Sequence, residues 1–208
     1  MNGIDRSFII PVLDYSPHSP YNINTLLEDL AEANGEVICI FNSEKIFEDL
    51  KDHPRIDKFC FNSANAGVSR SWNIGINLAE GEVIYILNAD LHIDLDSLKP
   101  LEDCLFDYED AVLVGPEGSD LKYINQQLSL DVHYKKGNVD RVTRTDNVSG
   151  FCMALLRERF VNNGFQFDTR FSPCFMEEWD IGFQIQMAGL HCYVVLMQGF
   201  DHQWGISG

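Results

Sequence analysis

The chain has 208 residues, 45% of them apolar, which is enough for one folded domain with a substantial core. Its 32 acidic and 15 basic residues give a net charge of −17. This charge disfavours nucleic acids and anionic membranes as partners, because both require a basic surface. A small anionic ligand remains compatible with it if a metal ion and backbone N–H groups supply local positive charge.

The six cysteines are scattered, several lie within apolar runs, and no Cys-x-x-Cys pair occurs. Such thiols are typical of buried residues in a reducing compartment. The N-terminal residues do not resemble a signal peptide, and no apolar run reaches the roughly 20 residues that cross a bilayer. We therefore expect a cytoplasmic protein without a membrane span, in which residues 1–208 form one domain, or a piece of a longer protein.

Apolar strands and amphipathic helices alternate through the first half of the sequence. We predict strands over 7–13, 36–41, 58–61 and 83–87, and helices over 25–33, 43–50 and 68–79. Asn24 is the predicted N-cap of the first helix. This alternation predicts an α/β fold with a mostly parallel central sheet and helices on both faces.

The second half is less regular. Its predicted strands cover 111–114, 148–156 and 192–196, and its predicted helices cover 95–106, 157–162 and 176–188. The polar segment 115–147 is expected to be irregular, with a short hairpin around 136–138.

The predicted strand 83–87 ends in the polar sequence Asn88-Ala89-Asp90. Ligands of open α/β sheets bind outside the carboxyl ends of the strands. A carboxylate there, with an amide oxygen two residues before it, can hold a hard divalent cation against a diphosphate. An ordinary strand-to-loop turn is the alternative, since Asn-x-Asp is common in turns.

A second group of small and polar residues precedes this strand. Asn65 and Gly67 lie at the start of the predicted helix 68–79, and Asn73 lies about two turns into it. Gly67 permits a positive φ or a close backbone approach, and the N–H groups of a helix start favour phosphates. A capped helix with a buried asparagine would show the same pattern.

Two further features lie near the C-terminal end. Glu177, Glu178 and Asp180 begin the predicted helix 176–188, where the helix dipole alone would stabilise them. The two adjacent glutamates project in different directions, so one can support the other as a general base. His202 follows the last strand; it is either a hydrogen-bonded polar residue or a metal ligand completed from elsewhere in the fold.

Taken in order, these segments resemble the inverting family 2 glycosyltransferases of the GT-A fold over nearly the whole chain. The matching segments are Ile10-Pro11-Val12, Asn65-Ala66-Gly67, Asn73-Ile74-Gly75, Leu87-Asn88-Ala89-Asp90, Ser149-Gly150-Phe151, Glu177-Glu178-Trp179, and His202 with Gly205 and Ser207. The resemblance implies a GT-A type domain in which residues 1–90 bind a nucleotide sugar and residues 91–208 form the acceptor and catalytic half.

The resemblance also implies a function: metal-dependent transfer of a sugar from a nucleoside diphosphate, of the UDP or dTDP type, to a glycan or other hydroxyl acceptor, with inversion. Asp90 and His202 would hold Mn²⁺ or Mg²⁺, and Glu178 would be the catalytic base with Glu177 supporting it. The implied donor-binding residues are Pro11, Asn42, Asn65, Gly67, Asn73, Asn88 and Asp90.

Three residues depart from the family pattern. Asn42 stands where an acidic residue usually binds the nucleobase, Trp72 stands where an Arg often precedes Asn73, and Glu178 replaces the usual Asp. An inactive nucleotide-sugar-binding or glycan-binding module is therefore an alternative. A sugar-phosphate nucleotidyltransferase is a further alternative, but the loop 14–21 lacks the Lys or Arg that such an enzyme needs for a triphosphate.

Overall fold

The computed structural model describes residues 5–16, 19–136, 139 and 141–202. Thirteen strands form among these residues: β1 (Arg6–Val12), β2 (Glu36–Phe41), β3 (Lys58–Phe61), β4 (Val83–Leu87), β5 (His92–Ile93), β6 (Ala111–Gly115), β7 (Gly118–Ile124), β8 (Gln127–Tyr134), β9 (Val142–Thr145), β10 (Asn147–Val148), β11 (Cys152–Leu156), β12 (His191–Val195) and β13 (Phe200–Asp201).

Six α-helices connect or flank the strands: α1 (Ile23–Asp29), α2 (Glu44–Leu50), α3 (Val68–Leu78), α4 (Lys99–Asp107), α5 (Arg157–Asn162) and α6 (Glu177–Met187). Short 3₁₀ turns cover Leu95–Leu98 and Thr169–Phe171. Within the described residues, no helix has the length and apolar character needed to cross a membrane.

The central sheet has eight strands in the order β3-β2-β1-β4-β11-β6-β12-β9. Strands β3, β2, β1 and β4 run parallel to one another, and β6 runs parallel to β12. Strand β11 is antiparallel to β4 and β6, and β9 is antiparallel to β12. The predicted mostly parallel α/β sheet is therefore confirmed. Strand β4 lies in the interior of this sheet, which explains why all five of its residues are buried and apolar or aromatic.

Alternate residues of the strands enter two separate cores, one on each face of the sheet. Phe8 and Tyr85 pack with helices α1, α2 and α4, whereas Ile9 and Ile86 pack with α3, α5 and α6. The period of two along each strand produces this division. Helices thus cover both faces, as predicted, and the carboxyl end of β4 opens at the edge between these layers.

The predicted cap of the first helix is wrong. The N-cap is Asn22, whose side chain accepts a hydrogen bond from the Asn24 N–H at 2.9 Å. The Asn22 N–H in turn donates to the Thr25 hydroxyl at 2.8 Å. The Asn22 side chain also accepts from the Thr25 backbone N–H, so Asn22 and Thr25 form a capping box. The helix starts two residues earlier than predicted.

The polar segment 115–147 is more ordered than predicted. It contains the antiparallel hairpin β7–β8, whose turn residues Asn125 and Gln126 have φ of +50° and +62°. Positive φ at both central residues matches the twist of a two-residue hairpin. The hairpin expected around 136–138 cannot be compared in the same way, because residues 137 and 138 lie outside the described residues.

The predicted strand 148–156 is interrupted at Ser149–Phe151. Strand β10 before the break pairs with β7 in a small three-stranded sheet, and β11 after it pairs with β4 in the central sheet. The three intervening residues therefore cross from one sheet to the other, next to the end of β4.

Candidate active site

The carboxyl end of β4 carries Asn88 and Asp90 into a largely buried position. The Asn88 N–H donates to the Phe151 carbonyl at 2.9 Å, and the Leu91 N–H donates to the Asn88 carbonyl at 3.2 Å. These bonds fix the turn after the strand. Asp90 is only 2% exposed, so its carboxylate has lost almost all of its contact with water.

A two-stranded ribbon brings His202 to the same place. Strand β13 pairs antiparallel with β5, with Phe200 opposite Ile93 and Asp201 opposite His92. The His202 Nε2 atom lies 3.5 Å from the Asp90 Oδ1 atom and 3.5 Å from the Asn88 Nδ2 atom. The fold thus brings together Asn88 and His202, which are 114 residues apart in the sequence.

The imidazole of His202 is held by an aromatic contact. It stacks on the Phe151 ring with the centroids 4.4 Å apart and the planes 8° from parallel. The His202 side chain is 7% exposed and that of Asp90 is 3% exposed. Metal ligands need this kind of fixed orientation, because rotation of the ring would move the coordinating nitrogen.

The residues at the β4 end fit a divalent cation. The Asp90 Oδ2 atom is buried and accepts no hydrogen bond from the described residues, although a buried carboxylate oxygen normally requires a partner. Within 5–16, 19–136, 139 and 141–202, no group of three or more His, Cys, Asp or Glu residues could hold a metal. Two protein ligands suit Mg²⁺ or Mn²⁺ that takes its other ligands from phosphates and water.

The two glutamates lie at the start of α6, close to the break between β10 and β11. The Glu178 Oε1 atom accepts a hydrogen bond from the Gly150 N–H at 3.2 Å. Glu177 is 3% exposed, and its Oε2 atom accepts no hydrogen bond from the described residues. Glu178 is partly exposed, so it is the glutamate that a substrate can reach.

Burial makes both glutamates weaker acids than usual, and charge repulsion adds to this effect at Glu178. Loss of solvent contact raises the pKa of Glu178 to about 7, and the negative charge of Glu177 adds to the shift. The Gly150 N–H acts in the opposite direction, because it stabilises the ionised carboxylate. Burial also raises the pKa of Glu177. A carboxylate with a pKa near neutrality is suited to accept a proton from a hydroxyl group.

Gly150 is the point at which Glu178 and Trp72 meet. A Cβ atom on Gly150 would lie 2.7 Å from the Glu178 Oε1 atom and 2.7 Å from the Trp72 Cη2 atom. Trp72 is 2% exposed and packs edge-on against Phe167, with ring centroids 4.7 Å apart. Only glycine therefore allows the carboxylate and the indole to approach the backbone this closely.

The segment Ser149–Phe151, between β10 and β11, contacts both Glu178 and the residues at the end of β4. Gly150 holds Glu178 through its N–H, while Phe151 accepts from Asn88 through its carbonyl and stacks on His202 through its ring. One short segment thus orients both the candidate cation ligands and the candidate base. The matching motif includes this segment, but the sequence alone assigned it no role, because backbone contacts leave no chemical signature.

The side chain of Asn42 forms hydrogen bonds within the protein. Its Nδ2 atom donates to the Ser71 hydroxyl at 3.0 Å, and its Oδ1 atom accepts from Asn62 and from the Ala66 N–H, both at 3.1 Å. Asn42 is 8% exposed. Its amide ties the loop before α3 to the end of β2, so its role toward a donor would be to shape that loop.

Asn65 and Gly67 also serve the loop before α3. The Asn65 Oδ1 atom accepts from the Gly67 N–H at 2.9 Å, and Gly67 has φ of +79°. A Cβ on Gly67 would lie 2.2 Å from the Ser172 Oγ atom. The Val68 N–H donates to the Pro173 carbonyl at 2.9 Å. The first N–H group of α3, which the sequence suggested for a phosphate, is therefore bonded to the segment that leads to α6.

Asn73 makes a two-way contact with the backbone of Phe167. Its Nδ2 atom donates to the Phe167 carbonyl at 2.7 Å, and its Oδ1 atom accepts from the Phe167 N–H at 3.1 Å.

Pro11 lies near the carboxyl end of β1, where it pairs with Ile40 of β2. The pairing of β1 with β4 ends before it, at Ile9 and Ile86. Of the predicted donor residues, the structure thus brings Asn88 and Asp90 together with His202, and gives Asn42, Asn65 and Asn73 contacts within the protein.

Comparison with known proteins decides the family. A family model described as glycosyl transferase family 2 matches residues 7–165, which is most of the chain. The chain belongs to glycosyl transferase family 2. A comparison of the family 2 chain with curated proteins gave no match.

Solved structures share the fold of this family 2 chain. GalNAc-T7 with UDP, GalNAc and Mn²⁺ is 15% identical with a TM-score of 0.68, and the alignment covers 93% of this chain and 43% of that one. Residues 1–349 of S. aureus TarS with UDP-GlcNAc are 13% identical with a TM-score of 0.63, over 99% of this chain and 61% of that one. The mannosyltransferase PcManGT from Pyrobaculum calidifontis, with GDP-Man and Mn²⁺, is 18% identical with a TM-score of 0.64, over 92% and 54%.

These alignments establish the GT-A type fold. The chain spans between 43% and 61% of the length of these three solved structures. The family match ends at residue 165, so Glu177, Glu178 and His202 lie beyond it. Their assignment rests on the geometry around Gly150 and Phe151, not on the family match.

Proposed function

We propose that this family 2 chain transfers a sugar from a nucleoside diphosphate to a hydroxyl group of an acceptor, with inversion and with a divalent cation. The observation that carries the proposal is the pair of contacts made by Gly150 and Phe151, which join Glu178 to the buried Asp90–His202 pair. A base for the acceptor and a cation site for the leaving diphosphate are the two parts that such a reaction requires.

On the donor side, Asp90 and His202 would hold Mn²⁺ or Mg²⁺, and Asn88 would contact the ribose or a cation-bound water. The bound cation would neutralise the charge that develops on the departing nucleoside diphosphate. Support comes from the unbonded Asp90 Oδ2 atom and from the fixed imidazole of His202. The chain is strongly acidic, so positive charge for a diphosphate would come mainly from the cation.

On the acceptor side, Glu178 would accept the proton of the attacking hydroxyl group. Its partial exposure and its pKa of about 7 support this assignment over the buried Glu177. Glu177 would act by raising the pKa of its neighbour. A single displacement with inversion needs one carboxylate on the acceptor side, in contrast to the carboxylate pair of a retaining glycosidase.

The donor is proposed to be a UDP- or dTDP-sugar, with UDP as the first choice. Two of the solved structures contain UDP or a UDP-sugar, and a third contains GDP-Man, so the test includes all of these nucleotides. The acceptor is proposed to be a glycan or another compound with a free hydroxyl group.

The decisive experiment measures turnover of a panel of UDP-, dTDP- and GDP-sugars with Mn²⁺, Mg²⁺ or EDTA, using the wild type, Asp90→Ala and Glu178→Gln. We expect cation-dependent transfer by the wild type and none by either variant. Calorimetry with UDP and Mn²⁺ should show binding to Glu178→Gln but not to Asp90→Ala. Cation-dependent UDP binding by the wild type without any product would instead identify an inactive nucleotide-sugar-binding module.

A further inference from the structure

Two exposed apolar residues lie directly before the candidate base. Phe175 is 72% exposed and Met176 is 51% exposed, although both side chains are apolar. Both residues have a left-handed backbone, with φ of +83° and +78°. This conformation is uncommon for residues other than glycine, and such residues cluster at active sites and ligand contacts.

Hydrogen bonds fix the segment that carries these two residues. On one side, Pro173 accepts from the Val68 N–H at 2.9 Å, and the Ser172 hydroxyl donates to the Ala66 carbonyl at 3.1 Å. On the other side, the Asp180 N–H donates to the Met176 carbonyl at 3.0 Å. The backbone on both sides of the apolar pair is thus fixed by hydrogen bonds.

Helix α6 continues the apolar surface away from the site. Trp179 and Phe183 lie four residues apart within α6, and their ring centroids are 6.4 Å apart. Phe175 precedes the helix, which starts at Glu177. Residues four apart share one side of a helix and advance by about 6 Å along it. Phe183 is 40% exposed, whereas Ile181 and Ile185 on the inner side are fully buried.

Carboxylates surround this surface. Glu177, Glu178 and Asp180 begin α6, and Asp168 lies just before the 3₁₀ turn. The only cation within the segment 166–187 is Arg170, whose guanidinium group is bonded to Asp168. An anionic ligand would meet uncompensated negative charge here, so anionic lipid and acidic sugars are poor occupants.

The apolar area exposed by these four side chains is modest. It is on the order of 350 Å², whereas each partner of a stable interface buries about 800 Å², of which roughly half is apolar. Exposed aromatic rings also suit a smaller ligand that has an apolar face and polar edges. The C–H face of a sugar ring has this character.

We propose that Phe175, Met176, Trp179 and Phe183, here named the acceptor platform, bind an uncharged oligosaccharide through the C–H faces of its rings. The sugar that binds nearest to Phe175 presents a hydroxyl group to Glu178, and the following sugars extend along Trp179 and Phe183. This inference rests on the proposed function for the role of the oligosaccharide as acceptor.

The test replaces platform residues and measures sugar binding directly. Saturation-transfer NMR with Mg²⁺ and UDP is applied to methyl glucoside, methyl glucuronide and neutral trisaccharides of the malto, cello and chito series. At least one neutral trisaccharide should bind better than both monosaccharides, and methyl glucuronide should bind worst. Phe175→Ala and Phe183→Ala should each weaken trisaccharide binding by about tenfold.

Tyr123→Ala is the matched control, because Tyr123 is 73% exposed on β7 and lies outside the platform. It should leave trisaccharide binding unchanged. The proposal is overturned if no neutral trisaccharide binds, or if the platform variants bind it as the wild type does. It is also overturned if Phe175→Ala and Phe183→Ala instead reduce self-association in sedimentation or binding to phosphatidylcholine vesicles.

Donor binding separates this inference from the proposed function. Stabilisation by UDP with Mn²⁺ in thermal unfolding depends on Asp90 and should be the same in Phe175→Ala and Phe183→Ala. If the wild type shows no such stabilisation but binds trisaccharides through the platform, the proposed transfer fails and the platform stands. If donor binding and transfer are present but the trisaccharide is bound independently of the platform, only the platform fails.

Discussion

The contact between Gly150 and Glu178 gives the sharpest prediction about catalysis. In Gly150→Ala, the new Cβ atom would lie 2.7 Å from both the Glu178 Oε1 atom and the Trp72 Cη2 atom. The partly exposed carboxylate of Glu178 can move away from this Cβ atom. Trp72 is 2% exposed and packed against Phe167, so the backbone at residue 150 must also shift away from the indole. The variant therefore loses the 3.2 Å bond from the Gly150 N–H.

Displacement of a reacting group by about 1 Å can slow a reaction by about 100-fold. Because Gly150→Ala moves the Glu178 carboxylate away from its position, we expect kcat to fall by roughly this factor. The Gly150 N–H also lowers the pKa of Glu178, so its loss raises that pKa further above the wild-type value of about 7. The acid limb of the rate profile, where activity falls as Glu178 is protonated, should therefore move to higher pH.

The assay is steady-state transfer with the best nucleotide sugar of the panel, measured from pH 5 to pH 9. Gly164→Ala is the control, since no atom lies within 4 Å of its new Cβ although its φ is +73°. That variant should lose stability without any shift of the acid limb. The reasoning is refuted if Gly150→Ala binds UDP with Mn²⁺ normally but keeps both the wild-type kcat and the wild-type acid limb.

The remaining predictions concern single side chains. Asp90→Ala should abolish the stabilisation by UDP with Mn²⁺ in thermal unfolding, and its retention would place the cation elsewhere. Glu177→Gln should move the acid limb to lower pH, because the charge of Glu177 raises the pKa of Glu178; loss of all transfer in this variant alone would reverse the two roles. Because the pKa of Glu178 lies above its ordinary value of 4.5, the native state binds more protons between about pH 4.5 and 7, and stability falls as pH rises through this window. Glu178→Gln removes this loss, so it should raise Tm at pH 8 while abolishing transfer. Asn42→Ala should lower the free energy of unfolding in urea by about 2 kcal/mol, because it leaves the Ala66 N–H without its acceptor.

The regular half of the fold follows directly from the sequence. Strands β2, β3 and β4 begin and end at the predicted residues, because short apolar runs between polar turns suffice to define buried parallel strands. The hairpin β7–β8 could not be found in this way. Its strands carry exposed polar residues, and its turn is Asn125-Gln126 instead of a glycine-containing pair.

The candidate site was also predictable from the sequence only in part. The approach of His202 to Asp90 was expected only through the resemblance, since nothing in the local sequence connects the β4 end with the ribbon β5–β13. The contacts of Asn42, Asn65 and Asn73 could not be predicted. An asparagine that stabilises a loop and one that binds a ligand can have the same neighbours in the sequence. Gly150 was visible as a motif residue, but its function depends on the positions of Glu178 and Trp72 in space.

The ribbon formed by β5 and β13 has a consequence for the energetics of the C-terminal region. Each of its strands has only two residues, and it forms a sheet separate from the central one. A cation held by both Asp90 and His202 would fasten this ribbon to the end of β4. Cation affinity and the local opening free energy of residues 200–202 would then be linked, so that each strengthens the other by the same amount. Slower amide hydrogen exchange in β13 on addition of UDP and Mn²⁺ would measure that shared free energy without any turnover.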